Sequence, residues 1–292
     1  MKPTRIDRTM LGKWALPDLG TGGDKEARGS VLVVAGCAEM PGAASLAAEA
    51  TLRAGAGKLQ VAVPKSVSTL VASALPEAKV TGFAETRRGG PTARCVEALL
   101  PACARVDALL IGPGMEDEPA VRKLVGALLA GEGQARCVVD AAGLSVLHDG
   151  TYRFPRTAIV TPHAGEMAQI VGTEKEEIES APARHALEVS ARVNAVVVMK
   201  GICTHIAAPD GRLWCFDDGH VGLGMSGSGD VLAGLITGLL ARGASLEQAA
   251  AWGVALHGYA GQALGTGVGR VGYLARELAA EVPRIMENLR SA

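Results

Sequence analysis

Apolar positions along the chain follow two rhythms. Short, β-branched runs stand at VLVVAG (31–36), KLQVAVP (58–64), DALLIGPG (107–114), CVVD (137–140), AIVTPH (158–163) and AVVVMKG (195–201). Their near-continuous apolarity predicts strands buried on both faces. Between them, alanine-rich segments at 43–55, 66–74, 119–131, 166–172 and 181–193 are compatible with helices, most ending at glycine or a charged turn. This alternation predicts an α/β chain with a mostly parallel central sheet and helices on both faces. After Lys200 the rhythm changes: THIAAP and RLWCFD flank the turn PDGR, which predicts an antiparallel hairpin. The remainder reads as helices at 230–242, about 246–264 and 271–290. No linker, repeat or low-complexity stretch breaks the pattern, so one domain over 1–292 is expected.

Composition sharpens this picture. Of the 292 residues 48% are hydrophobic but only 3% aromatic, and 38 are glycine, so the core must be built from small side chains packed closely against glycine. A formal net charge of -1 without a basic block argues against nucleic acid as a partner. Arg87, Arg88 and Lys123 read as solvated surface. No uninterrupted apolar run is long enough to span a membrane, and MKPTRIDRTM lacks the apolar core of an export signal. The cysteines are widely spaced with no C-x-x-C pair, which fits a reducing cytoplasm. Alanine-rich helices late in the chain, if exposed, favour a homo-oligomer, with a tetramer among the sizes open to it.

In a doubly wound sheet, ligands bind beyond the carboxyl ends of the strands. The conspicuous residues fall at those ends: Gly36 to Gly42, Gly112 and Gly114, Asp140, His163 with Glu166, and Lys200. A further stretch, GMSGSGDVLAG (224–234), leads into an apolar helical pattern. Unpaired N–H groups and the dipole at a helix start suit an anion, and Gly227 and Gly229 allow close approach to the backbone. Asp230 within that site would repel a phosphate unless it removes a proton; as a first-turn acid it would instead only complement the dipole. In TPHAGEM, His163 can contact a ligand and Glu166 can hold a metal-bound water, or the pair can serve the helix start alone. Asp140 is open to catalysis or capping, and Lys200 to a phosphate contact or to solvent. Two G-x-G-x-x-G matches, beginning at Gly222 and Gly267, follow no strand in a βαβ unit, which excludes a dinucleotide fingerprint. No P-loop pattern or zinc-ligand spacing occurs. The other histidines, His148, His185, His205, His220 and His257, read as surface or packed residues.

Taken together, VLVVAGCAEMPGAASLAAEATLRAGAGKLQVAVP, LLIGPGM, VVDAAGLSVL, TPHAGEM, VMKGICTHIAAPDG and GSGDVLAGLITGLLARG resemble, in order and spacing, the ADP-dependent NAD(P)H-hydrate dehydratases of the ribokinase-like superfamily. The resemblance spans roughly residues 10 to 265. It implies a three-layer α/β/α fold and a repair lyase that restores NADH or NADPH from the S epimer of its hydrate (NADHX or NADPHX). ADP is the implied cosubstrate, converted to AMP and phosphate, and Mg²⁺ the cofactor. By position, Ala43, Gly114, His163 and Asp230 would meet the hydrate. Lys200, Gly201, Ile202, Cys203, Thr204 and Gly229 would hold the nucleotide. Asp230 would be the base, with Gly227, Ser228 and Gly229 stabilising the moving phosphoryl and Glu166 reaching Mg²⁺ through water. Many relatives carry a fused epimerase; none is expected here, so the R form would need a separate epimerase partner. A ribokinase-like kinase for a vitamin-precursor alcohol, or a silent adenine-nucleotide-binding regulator, are the competing readings.

Overall fold

The computed structural model describes residues 2–18, 24–87, 89–131, 133–156 and 158–290; Arg88 lies outside them. Seven consecutive positions in one sheet are filled by parallel strands. In spatial order these are β8 (Ala195–Met199), β7 (Ala158–Val160), β6 (Arg136–Val139), β5 (Ala108–Ile111), β2 (Ser30–Val34), β3 (Lys58–Pro64) and β4 (Lys79–Phe83). Beyond β8 comes the expected hairpin, β9 (Thr204–Ala207) antiparallel to β8 and β10 (Leu213–Phe216) antiparallel to β9. A two-residue strand, β1 (Thr4–Arg5), pairs parallel to β10 and closes the ten-stranded order.

Alternation within each strand builds two cores. Val31, Val33, Val61, Leu110, Val196 and Val198 face one way, onto α2 (Pro41–Arg53), α9 (Ser228–Ala241), α10 (Leu246–Gly267) and α11 (Ala275–Arg290). Leu32, Val34, Leu109, Ile111, Val139 and Val197 face the other, onto α4 (Ala93–Cys103), α5 (Glu118–Ala130), α6 (Ala164–Val171) and α8 (Pro182–Val193). Side chains alternate across a strand, so one apolar run feeds both layers. Three short helices complete the set: α1 (Arg8–Lys13) and α3 (Ser68–Ala74), whose Leu11 and Val71 enter the first core, and α7 (Lys175–Ser180), whose Ile178 enters the second.

Small residues set the spacing between α2 and α9. A Cβ built on Gly234 would lie 2.2 Å from Ala47 O, and one on Gly238 would lie 2.4 Å from Thr51 O. Thr51 Oγ1 donates to Gly234 O at 3.1 Å, joining the two backbones where they almost touch. One expectation is corrected here. The late alanine-rich helices are not exposed: Ala249, Ala250, Ala251, Ala255 and Ala260 of α10 are all 0% exposed. Their alanines serve close packing inside the chain and give no ground for assembly. Among the described residues no helix is long and apolar enough to cross a membrane.

Candidate active site

Because β8, β7, β6, β5 and β2 are parallel neighbours, the segments leaving their carboxyl ends emerge side by side. Asp140 follows β6 and is 2% exposed, deeper than its sequence position suggests. It makes no side-chain cap to the 3₁₀ turn that follows. Instead its Oδ1 accepts from Thr161 Oγ1 at 2.6 Å and from Lys200 Nζ at 3.1 Å. Lys200 lies just beyond β8, where its N–H donates to Pro162 O and so stitches the β7 and β8 ends together. Its ammonium also lies 3.7 Å from Glu166 Oε2. Burial opposes the charge of Lys200, but Asp140 and Glu166 outweigh it and hold the ammonium above its ordinary pKa. Lys200 is therefore an ion-paired cation, not the solvated strand-end lysine that its position alone suggests.

His163 and Glu166 form a capping box at the start of α6. Glu166 Oε2 accepts from His163 N at 2.8 Å, while His163 Nδ1 accepts from Gly165 N at 3.0 Å and from Glu166 N at 3.3 Å. The helix-start reading of this pair is thus satisfied in full. It also leaves His163 able to serve a ligand, because using Nδ1 as acceptor puts the proton of a neutral imidazole on Nε2, and the side chain is 58% exposed.

Asp230 reaches the same cluster from the opposite layer. Gly227, at φ +86°, is the N-cap of α9 and places the chain in the left-handed region that a side chain would disfavour. With no capping side chain, the first-turn N–H groups of Gly229 and Asp230 lack helical partners. A Cβ on Gly229 would sit 3.5 Å from Lys200 Nζ, so the helix start and the ammonium adjoin. Burial pushes the Asp230 carboxyl up, Asp140 pushes it further, and Lys200 offsets only part of this; the result is about 7. Asp140 and Glu166 thus pair with the ammonium, and Asp230 lies within its electrostatic reach.

Ala43 and Gly114 also come together. Gly114 has φ +61°, and a Cβ there would be 2.5 Å from that of Ala43. Beside them opens a cleft of about 650 Å³ lined by Ala38, Glu39, Met115, Glu116 and Ala142 among others. Gly201 and Ile202 lie in the open, Ile202 being 99% exposed, whereas Cys203 and Thr204 are partly buried as the chain enters β9. One neighbour of the GSGD turn escapes a reading of the sequence. His257 Nε2, on α10, is 2.9 Å from Ser228 Oγ and hydrogen-bonded to it. No motif marks this histidine, because it is brought to GSGD from 29 residues away only by packing of α10 on α9.

Among the described residues no group of three or more His, Cys, Asp or Glu side chains is arranged to hold a metal by itself. The oxygen donors of Glu166 and Asp140 nevertheless suit Mg²⁺, which is commonly bound through one or two carboxylates, waters and the phosphates of a substrate.

This sheet order, with an acid at a glycine-rich helix start facing the strand ends, defines a ribokinase-like α/β fold. A ribokinase-like superfamily protein from Enterococcus faecalis V583 superposes with a TM-score of 0.85 over 99% of this chain and 97% of that one, at 22% identity. The family model described as NAD(P)H-hydrate dehydratase matches residues 31–284, and the chain belongs to that family. An ADP-dependent (S)-NAD(P)H-hydrate dehydratase of Xanthomonas campestris pv. campestris is 47% identical over 94% of each chain. The crystal structure of the ADP/ATP-dependent NAD(P)H-hydrate dehydratase from Bacillus subtilis, co-crystallised with ATP/Mg²⁺, has a TM-score of 0.86 and 28% identity over 99% of both chains. The chain spans about half the length of the bifunctional repair enzymes that it also matches.

Proposed function

We propose that this chain dehydrates the S epimer of NADHX and NADPHX to NADH and NADPH, with ADP converted to AMP and phosphate. The observation that carries the reading is Asp230: a carboxyl raised to about 7, beside free helix N–H groups and a half-buried, ion-paired cation. Hydroxide is a poor leaving group, and a phosphate ester leaves readily. Asp230 takes the proton of the ring hydroxyl as that oxygen attacks the β-phosphorus of ADP, and AMP departs. Phosphate is then lost together with a proton of the neighbouring ring carbon, which restores the double bond. Through the transfer, the N–H groups of Gly229 and Asp230 stabilise the phosphoryl oxygens, with Gly227 and Ser228 fixing the turn.

Ala43 and Gly114 floor the hydrate site, and His163 donates to the hydrate from Nε2. The backbone of Gly201, Ile202 and Cys203, with Thr204, holds the adenine nucleotide. Lys200 keeps Asp140 and Glu166 in place and supplies positive charge facing the phosphates. Glu166 and Asp140 would hold Mg²⁺ through its waters; when bound, the ion neutralises phosphate charge. The R epimer falls to an epimerase partner. We also infer a cytoplasmic setting, supported by six free cysteines, and a homo-oligomer, supported by the exposed Val221, Val268, Val271 and Leu274 near the α10–α11 turn.

The test is recovery of dihydronicotinamide absorbance from an NADHX or NADPHX epimer mixture with Mg²⁺ and ADP, ATP or no nucleotide. Recovery that requires ADP and stops at about half of the mixture, the S share, is expected. Failure of every nucleotide to restore absorbance, with adenine nucleotide still bound, would overturn the dehydratase reading in favour of a small-molecule kinase or a silent binder.

A further inference from the structure

The hydroxyl of Ser228 is the only side-chain hydroxyl in the first turn of α9, yet it does not face the ligand cluster. Ser228 is 4% exposed, and its Oγ is held 2.9 Å from His257 Nε2. Ser228 carries the peptide that leads into the Gly229 and Asp230 N–H groups that the phosphoryl is to occupy, so anchoring its side chain fixes where those groups point.

We infer that His257 is a positioning residue for phosphoryl transfer: it anchors the Ser228 hydroxyl in the core so that the first-turn N–H groups of α9 stay aimed at the phosphate. The inference rests on the dehydratase reading above and deepens it. Two features fit the role. Ser228 N donates to Met225 O and Val231 N to Gly227 O, so the turn is braced on both sides of the two free amides. Burial pushes His257 down to about 4, and the nearby Lys200 ammonium further disfavours a second cation, so the imidazole stays neutral across the working pH range. A neutral ring adds no positive charge that would draw Asp230 away from the substrate hydroxyl.

The test compares wild type, Ser228→Ala, His257→Leu and the double variant, with His257→Gln as the conservative replacement. For each, kcat and KM for NADHX at saturating ADP and Mg²⁺, the Kd of ADP by calorimetry, and Tm are measured. Small misplacements in catalytic sites cost up to ~10²-fold in rate. Both single variants should therefore lose about 10- to 100-fold in kcat with little change in KM for the hydrate. The double variant should be no slower than the worse single, because both remove one contact. Restored hydrogen bonding in His257→Gln should return part of the lost rate.

Full kcat in Ser228→Ala, multiplying losses in the double variant, or losses that appear only where the protein begins to melt would each overturn the inference. If wild type restores no NADH, the dehydratase reading fails by itself. The cycle is then read on ADP affinity, where equal Kd values for all four proteins would overturn the positioning role.

Discussion

In the proposed mechanism Asp230 carries a conflict between stability and catalysis that can be measured. Its carboxyl is raised from 3.8 to about 7, chiefly by burial and then by Asp140, so the fold favours the protonated form while catalysis needs the ionised one. As a base it is ineffective when protonated, so kcat/KM should rise about tenfold per pH unit below pH 7 and flatten above it. The stability contributed by the raised pKa is complete below about pH 4 and lost as pH rises through about 7. Asp230→Asn should accordingly lower turnover by about 10²- to 10⁴-fold. In calorimetry it should also melt about 2 °C or more above wild type at pH 8, with the difference shrinking at pH 5. Equal melting at both pH values would mean that the carboxylate carries no burial cost. Glu166 is tested by metal removal. EDTA should abolish turnover and Mg²⁺ restore it, while Glu166→Gln should raise the Mg²⁺ concentration giving half-maximal rate by about tenfold. The sequence made GSGD and TPHAGE legible because glycine-rich and capping turns have local chemical signatures. It hid His257, whose partner is set by helix packing, and it left Asp140 between capping and catalysis until Thr161 and Lys200 were seen to occupy its carboxylate.

Helices and strands differ in how far their sequences announce them. The buried parallel strands were plain because both faces need apolar residues. By contrast β4, with only Phe83 of its five residues buried, and β1, exposed at both residues, are edge strands that carry no such pattern. β1 is held from outside its own sequence, by pairing to β10 and by the adjacent Ile6, which is 0% exposed. α4 is missing from the sequence reading although Cys95, Leu99 and Cys103 recur every four residues on one buried face, because Pro101 within it obscures the helix. The α2–α9 seam makes a prediction at this scale. Alanine at a helical glycine normally gains up to about 1 kcal/mol in propensity. At Gly234 the new Cβ would press into the Ala47 carbonyl, a backbone atom that cannot rotate away, so overpacking of about 1–3 kcal/mol wins. Gly126→Ala on α5 is the control, because nothing lies within 4 Å of its built Cβ. Thermal melts should place Gly234→Ala below wild type and Gly126→Ala level with it or above. A Gly234→Ala protein as stable as wild type would show that the two helices can part without loss.

At the scale of the molecule, function depends on sheet order, which alternation alone does not specify. Strand and helix rhythm predicted parallel strands, and only the order β8-β7-β6-β5-β2 sets Lys200, His163, Asp140, Gly114 and Ala43 along one edge with α9 opposite. A ligand that spans this edge ties two core layers together and should stabilise the whole fold. At 100 times its Kd, ADP with Mg²⁺ should add about 2.7 kcal/mol, a rise in Tm of roughly 5 °C. AMP supplies the same adenine and ribose contacts but lacks the β-phosphoryl that the proposal sets against the α9 N–H groups, so its shift at equal concentration should be smaller. Asp230 then provides an internal check. Ionised at pH 8, it repels the incoming phosphate, and at pH 5 it is largely neutral. ADP should therefore shift Asp230→Asn more than wild type at pH 8 and about equally at pH 5. Equal shifts from ADP and AMP, unchanged by Asp230→Asn at either pH, would place the β-phosphoryl away from α9 and remove the proposed geometry of transfer.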